Sequence, residues 1–197
     1  MTSSQMVAGN TAQPESHRRS TTDLAVVIVF SALIALGTFL SIKLPEPLGE
    51  ITWAPPVYMA LSVLAGPWPG LAATAIGSFA GESLNVAYLG WPAIYAPGIV
   101  WARAPEALII GWARKRRTKT IVATMVLATV FETLAFFVSD GLFYAYGLFG
   151  YGNPTSLEAG FGTATIDFLT LLDLAFVPIA LVLIRAARPA FRRLGYD

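Results

Sequence analysis

One apolar run limits the fold of this chain more than any other feature of its sequence. Residues 24–42 carry no charged side chain, and a helix needs about 20 mostly apolar residues to cross a bilayer. Of the 197 residues, 55% are hydrophobic and only 13% are charged, whereas soluble domains carry about 25% charged residues. The sequence therefore predicts an all-α integral membrane protein.

Prolines, glycines and short charged loops divide the chain into six predicted transmembrane helices. The second helix is short, and the turns "GPWPG" and "GWP" flank the third. We predict a disordered cytoplasmic tail over residues 1–22, a six-helix membrane domain over residues 23–188 and a basic cytoplasmic tail over residues 189–197. The predicted helices cover residues 24–42, 54–65, 71–89, 93–113, 120–146 and 161–185.

Three clusters of basic residues assign an orientation to these helices. Arg18 and Arg19 precede the first helix, the loop "RKRRTK" follows the fourth, and four arginines stand at the end of the sixth and beyond it. In a six-helix topology all three clusters lie on one side, and loops rich in Lys and Arg stay in the cytoplasm. We therefore expect both termini of this multi-pass plasma-membrane protein to be cytoplasmic.

Several ionisable side chains lie within the predicted helices, where they are expected to face the bundle interior or a cavity. At about 1.5 Å of rise per residue, Glu82, Arg103 and Glu132 share one level near the middle of the membrane. We expect Arg103 to pair with Glu82 or Glu106, or to stay available for a ligand carboxylate. Glu132 has no evident cationic partner in the sequence.

Asp140 and Asp167 lie nearer the outside of the membrane and likewise lack an evident cationic partner. Asp173 comes six residues after Asp167, so on an α-helix it would face another direction. Polar stripes on neighbouring helices, with aromatic rings at the rim, predict a pocket that opens outward. The predicted substrate-binding residues are Glu82, Asn85, Trp91, Tyr95, Arg103, Glu132, Asp140, Tyr144 and Asp167.

The sequence lacks the residues that most catalytic and metal sites use. It has no cysteine and a single histidine, His17, in the polar tail, and it contains no phosphate-binding loop or known catalytic spacing. We therefore predict no enzyme activity, catalytic residue, cofactor, bound metal or nucleic-acid partner. Two alternatives stay open: a membrane-embedded enzyme that uses Glu82, Glu132 or Asp140, and a purely structural membrane subunit.

Two segments of the chain resemble a known family. The segment "FSALIALGTFLSIKLPEPLGEITWAPPVYMALSVLAGPWPGLAATAIGSFAGESLN" combines a helix with small residues, an outer loop, a short second helix, a Gly-Pro turn and a Gly-rich third helix. The segment "RAPEALIIGWARKRR" is a helix that ends in a basic loop. This layout, over residues 24–188, resembles the substrate-binding S components of energy-coupling factor (ECF) vitamin transporters.

The resemblance implies a six-helix S-component bundle that captures a vitamin-like small molecule from outside the cell. It implies partners as well, namely a transmembrane T subunit and two cytoplasmic ATPase subunits. Ser31 and Ala35 match the spacing of the family's small-residue motif on the first helix, which implies that they contact the T subunit. The loop "KLPEPLGEIT" stands where the family has a lid over the pocket.

The charges of the predicted pocket indicate a class of substrate. Carboxylates favour a cationic or amine-bearing ligand, whereas an arginine without an acidic partner favours an anion. The aromatic residues suit a heteroaromatic ring. We therefore expect a thiamine-, pyrimidine- or pyridoxine-like substrate, with a biotin- or pantothenate-like acid as the alternative if Arg103 is unpaired.

Overall fold

A computed structural model describes residues 15–43 and 50–196, with side chains over residues 21–42 and 51–196. Apart from the connecting loops, the described chain is helical, with one small antiparallel pair of two-residue strands, β1 and β2, in which Ile42 lies opposite Ile51. The elements are α1 (Glu15–Phe39), β1 (Ile42–Lys43), β2 (Glu50–Ile51), α2 (Pro55–Ala65), α3 (Pro67–Leu89), α4 (Tyr95–Trp112), α5 (Thr118–Tyr146), α6 (Leu157–Ala164), a 3₁₀ helix (Thr165–Phe176) and α7 (Val177–Arg193).

The first and last described segments meet at one end of the helix bundle. The Tyr196 hydroxyl donates a hydrogen bond to the Asp23 carboxylate, and the rings of Phe30 and Phe191 have centroids 5.8 Å apart. The Arg114 guanidinium lies 5.5 Å from the centroid of the Tyr196 ring. The start of α1, the end of α4 and the end of α7 therefore share one end, which we call the basic end.

Helix α2 forms the centre of the bundle. Pro55 and Pro56 open it, where a proline costs no hydrogen bond because the first N–H groups of a helix have no partner within it. It ends at Gly66, whose φ of 100° favours glycine. All residues of α2 except Val57 are buried, and α2 packs on α1, α3, α4, α7 and the 3₁₀ helix. The predicted short second helix is therefore confirmed.

Helices α1 and α3 pack together more closely than ordinary side chains allow. A Cβ atom added at Gly77 would lie 2.6 Å from the Ser31 carbonyl oxygen, and one at Gly81 would lie 2.6 Å from the Ala35 carbonyl oxygen. This is the close approach that small residues permit at helix interfaces in membranes. The Ser31 side chain is buried, so within this chain Ser31 and Ala35 line the contact with α3. Their contact with a T subunit stays a prediction.

Four predicted helix boundaries were wrong. Helix α1 begins at Glu15, so residues 15–22 of the predicted disordered tail are helical, and α7 runs to Arg193, into the predicted basic tail. Helix α3 begins at Pro67, because Pro67 and Pro69 are accepted in the first turn of a helix. Of the predicted connection "GPWPG", only Gly66 lies between the two helices. Helix α6 begins at Leu157, where the Ser156 hydroxyl accepts a hydrogen bond from the Ala159 N–H.

The predicted sixth helix is not a single α-helix. Its middle, Thr165–Phe176, is a 3₁₀ helix of 12 residues, much longer than the usual run of about three or four. At its end, the Val177 N–H donates to the Leu174 carbonyl, the spacing that defines 3₁₀ geometry. Pro178 follows in the first turn of α7 and has no N–H to donate.

Three helical segments are long and apolar enough to cross a membrane, and α2 is a shorter apolar helix. The three segments are Thr21–Phe39, Thr118–Tyr146 and Leu157–Arg193. The predicted count of six crossings and the cytoplasmic location of both termini stay predictions. Residues 1–14 of the predicted tail and residues 44–49 of the predicted lid lie outside the described part of the chain.

Candidate functional site

Arg103 is held in the bundle interior by two segments that are distant in the sequence. Its Nε donates to Glu132 Oε1 at 2.9 Å, and its Nη2 donates to Thr52 Oγ1 at 2.9 Å. The prediction that Arg103 pairs with Glu82 or Glu106 was wrong. The prediction that Glu132 has no cationic partner was wrong as well. The contact agrees with the prediction that Arg103 and Glu132 lie at one level, but a shared level does not tell which two helices face each other.

Glu106 lies one turn further along α4 and has its own partners. Its Oε2 accepts a hydrogen bond of 2.6 Å from the Tyr58 hydroxyl, and its Oε1 accepts one of 3.0 Å from Thr129 Oγ1. Glu106 and Glu132 are close enough to interact electrostatically. We call Thr52, Tyr58, Arg103, Glu106, Thr129 and Glu132 the arginine cluster.

Two polar atoms of this cluster have unused hydrogen-bonding capacity. Arg103 Nη1 and Glu132 Oε2 are buried and have no hydrogen-bond partner among the described residues. Buried polar groups are nearly always satisfied, and these two are a donor and an acceptor on the same ion pair. The ion pair therefore retains one donor and one acceptor that the described residues do not satisfy.

Asp173 belongs beside this cluster, although the sequence placed it elsewhere. It is buried, and its charge interacts with those of Glu132 and Arg103. The physical reason is the 3₁₀ geometry, in which six residues complete two turns, so Asp167 and Asp173 share one face. The prediction assumed the α-helical 100° per residue and therefore turned Asp173 away.

A second group of side chains lies nearer the opposite end of the bundle. Tyr151 is its centre, with ring centroids 4.7 Å from Tyr144 and 5.7 Å from Tyr95. Trp91 packs on Tyr95 at 5.3 Å. We call Trp91, Tyr95, Tyr144 and Tyr151 the tyrosine cluster. It brings together three residues that the sequence predicted for the pocket rim.

Tyr151 was missed by the sequence reasoning because it lies in a loop. Gly150 and Gly152 flank it with φ values of 95° and 94°, which let the chain turn so that the ring faces the bundle. Burial raises the pKa of the Tyr151 phenol well above its usual range, and the neighbouring Tyr95 phenol and Asp140 carboxyl raise it further. The phenol therefore stays protonated and donates to Asp140 Oδ1 at 3.2 Å.

Two acids accompany the tyrosine cluster. Asp140 is buried, and Asp167 is close enough to interact with it electrostatically. Asp167 Oδ2 is buried and has no hydrogen-bond partner among the described residues. The structure thus places both predicted acids beside the predicted rings, and a role of Asp140 and Asp167 in substrate binding stays a prediction.

Glu82 and Asn85 are buried where α3 meets α1. Asn85 Nδ2 donates to Glu82 Oε2 at 3.2 Å and to the Thr38 carbonyl oxygen of α1 at 3.3 Å. The bond to Thr38 holds α3 against α1. A role of Glu82 and Asn85 in substrate binding stays a prediction.

Tyr58 and Thr52 were also missed, and only Tyr58 left a signal in the sequence. It is the one ionisable residue of the buried helix α2, and a buried tyrosine hydroxyl usually finds a partner. Thr52 sits in a loop in which nothing marks it.

Among the described residues, no group of three or more His, Cys, Asp and Glu side chains could hold a metal ion.

Comparison with known proteins identifies the family. The family model "ECF-type riboflavin transporter, S component" matches residues 18–183. No curated protein and no solved structure shows significant similarity to the chain. The match covers most of the chain, including all the helices that carry the arginine and tyrosine clusters. The chain therefore belongs to the S components of ECF-type transporters, the membrane-embedded subunits that bind the substrate.

Proposed function

We propose that this S component captures riboflavin from outside the cell and passes it to a transmembrane T subunit and two ATPase subunits. The observation that carries the proposal is the tyrosine cluster beside Asp140 and Asp167. Aromatic rings stack on a flat ring system, and the two acids accept hydrogen bonds from hydroxyl and ring N–H groups.

S components are transporter subunits and not enzymes, so the membrane-enzyme alternative is wrong.

The spacing of the two clusters supports an elongated ligand. Tyr95 precedes Arg103 by eight residues on α4, and Asp140 follows Glu132 by eight residues on α5. At 1.5 Å per residue, both helices separate the two clusters by about 12 Å. Riboflavin has a flat ring system at one end and a chain of hydroxyl groups at the other, so its two ends suit the two clusters.

A cationic ring is the second candidate, and the balance of charge favours it. Five acids lie in or beside the two clusters, and among the described side chains Arg103 is the cation that accompanies them. They are Glu106, Glu132, Asp140, Asp167 and Asp173. Since Arg103 is paired with Glu132, a biotin- or pantothenate-like acid is disfavoured. A thiamine- or pyridoxine-like amine-bearing ring stays in consideration for this reason.

The substrate is tested by adding riboflavin, thiamine, pyridoxine and biotin separately to the purified protein in detergent. Riboflavin fluorescence should be quenched on binding, and Tyr151→Ala should weaken binding about tenfold because a stacked ring is lost. Tyr146→Ala is the matched control, because Tyr146 is exposed at the end of α5, just before the loop that contains Tyr151. Quenching of protein fluorescence by thiamine or pyridoxine alone would replace riboflavin with a cationic ring, and binding of biotin alone would contradict both candidates.

The partners are tested separately by affinity purification from the native membrane. A transporter subunit should bring down one T subunit and two ATPases, whereas a purely structural subunit should leave vitamin uptake unchanged when it is deleted. Uptake of labelled riboflavin in cells with and without the chain distinguishes the two.

A further inference from the structure

Two exposed basic segments lie at the basic end of the bundle. One is the connection between α4 and α5 with the first turn of α5, and the other is the last part of α7. Every one of these cationic side chains is exposed. We call them the basic surface, and its members are Lys115, Arg116, Arg117, Lys119, Arg185, Arg188, Arg192 and Arg193.

A set of contacts around Tyr196 joins the two segments into one surface. The Arg114 guanidinium lies over the Tyr196 ring, and Arg114 Nη1 donates to the Ala65 carbonyl oxygen at 3.2 Å. Tyr196 also packs on Phe191 of α7, with ring centroids 5.4 Å apart. The basic loop and the end of α7 are therefore held next to each other.

The positive charge of this surface is not compensated by acids of the described chain. None of its eight cations forms an ion pair with a described side chain, and the ion pair that the described residues contain is Arg103–Glu132 in the interior. Among the described side chains at this end, Asp23 is the acid, and its carboxylate accepts a hydrogen bond from the Tyr196 hydroxyl and not from one of these cations. The surface therefore attracts anions.

Neighbouring side chains place these cations at the level of lipid headgroups. Trp112 and Trp68 lie at the basic end and are 64% and 69% exposed, and exposed tryptophans favour the membrane interface. Val182 and Leu183, just before Arg185, are exposed on the bundle surface. An acyl chain that covers these apolar residues would bring its phosphate to the arginines of α7.

We propose that the basic surface binds the headgroups of anionic phospholipids in the adjoining leaflet. The lipid phosphate carries the negative charge, and the exposed tryptophans and aliphatic residues contact its apolar part. A lipid is favoured over a soluble anion because the cations adjoin apolar surface that must be covered by lipid. This proposal does not depend on the identity of the vitamin.

The test compares the purified full chain with a variant in which Lys115, Arg116, Arg117 and Lys119 are all replaced by Gln. The matched control exchanges each of the four between Lys and Arg and so keeps the charge. Each protein is titrated in detergent with phosphatidylglycerol, phosphatidylcholine or glycerol phosphate, and bound lipid is counted by native mass spectrometry. Each cation near a membrane surface contributes about fivefold, so the Gln variant should bind phosphatidylglycerol at least tenfold more weakly.

The expected result is a preference of the native chain and the control for phosphatidylglycerol over phosphatidylcholine, which falls with added salt. Loss of that preference in the Gln variant supports the proposal. Equal retention of both lipids by the native chain would overturn it, as would an unchanged preference in the Gln variant. If the native chain binds glycerol phosphate as well as phosphatidylglycerol, the surface binds soluble anions and the proposal is wrong. If the Gln variant no longer copurifies with the ATPases and the native chain shows no lipid preference, the surface binds a protein partner, which also overturns the proposal.

Discussion

The Arg103 guanidinium contacts Glu132 of α5 and Thr52 beside β2, so three separate segments of the chain meet at one buried side chain. Removing one partner of a buried ion pair leaves the other charge without compensation, which costs more than the pair contributes.

Replacing Glu132 by Gln tests this pair. We expect Glu132→Gln to destabilise the protein by about 3 kcal/mol, because Arg103 loses its ion-pair partner. Thermal unfolding in detergent measures the loss. The control is Glu158→Gln at the exposed first turn of α6, which should leave stability unchanged. Equal stability of the two variants would contradict the importance of the pair.

At the scale of elements, the contact between α1 and α3 is the most restrictive. Gly77→Ala would place a methyl group 2.7 Å from Ile34 Cβ and 2.6 Å from the Ser31 carbonyl oxygen, so the helices must separate. We expect a loss of about 1–3 kcal/mol, as for other overpacked interiors. Gly162→Ala is the control, since nothing lies within 4 Å of the added atom. Unfolding temperatures of the two variants should therefore differ, and a Gly77→Ala variant as stable as the control would refute the close contact.

The 3₁₀ helix places positions 167, 170 and 173 on one face, because three residues complete a turn. The chain contains no cysteine, so single cysteines introduced at each position from 165 to 176 can be labelled without background. We expect positions 167, 170 and 173, none of which is exposed, to react more slowly than the exposed positions 165, 168, 172 and 175. Riboflavin should slow labelling on the face of 167, 170 and 173 further. Slow labelling at 167 with fast labelling at 173 would indicate an α-helix, on which the two positions face different directions.

For the whole molecule, the open question of orientation has a direct test. Arg116→Cys and Arg192→Cys lie at the basic end, and Glu158→Cys lies at the opposite end. If loops rich in Lys and Arg remain inside, an impermeant maleimide should label position 158 in intact cells and the other two only after lysis. Labelling of 116 and 192 in intact cells would reverse the predicted topology.

Much of the architecture could be predicted because apolar length, prolines and glycines act locally. The short buried α2 and the membrane class follow from such signals. The partner of Arg103, by contrast, depends on how α4 turns towards α5, and no local pattern in the sequence reports that. The position of Asp173 required knowing that the helix is 3₁₀, and Tyr151 required the positive φ values of its neighbours Gly150 and Gly152.

The glycine contact between α1 and α3 also has a consequence for how this chain can change over evolutionary time. A Cβ atom at Gly77 would meet the Ser31 carbonyl oxygen, and one at Gly81 would meet the Ala35 carbonyl oxygen. Because these are backbone atoms, no smaller side chain on α1 could make room for a larger residue on α3, and both positions are expected to stay glycine. In a library that randomises both helices, survivors should keep glycine at 77 and 81, and free variation should be confined to the lipid-facing sides.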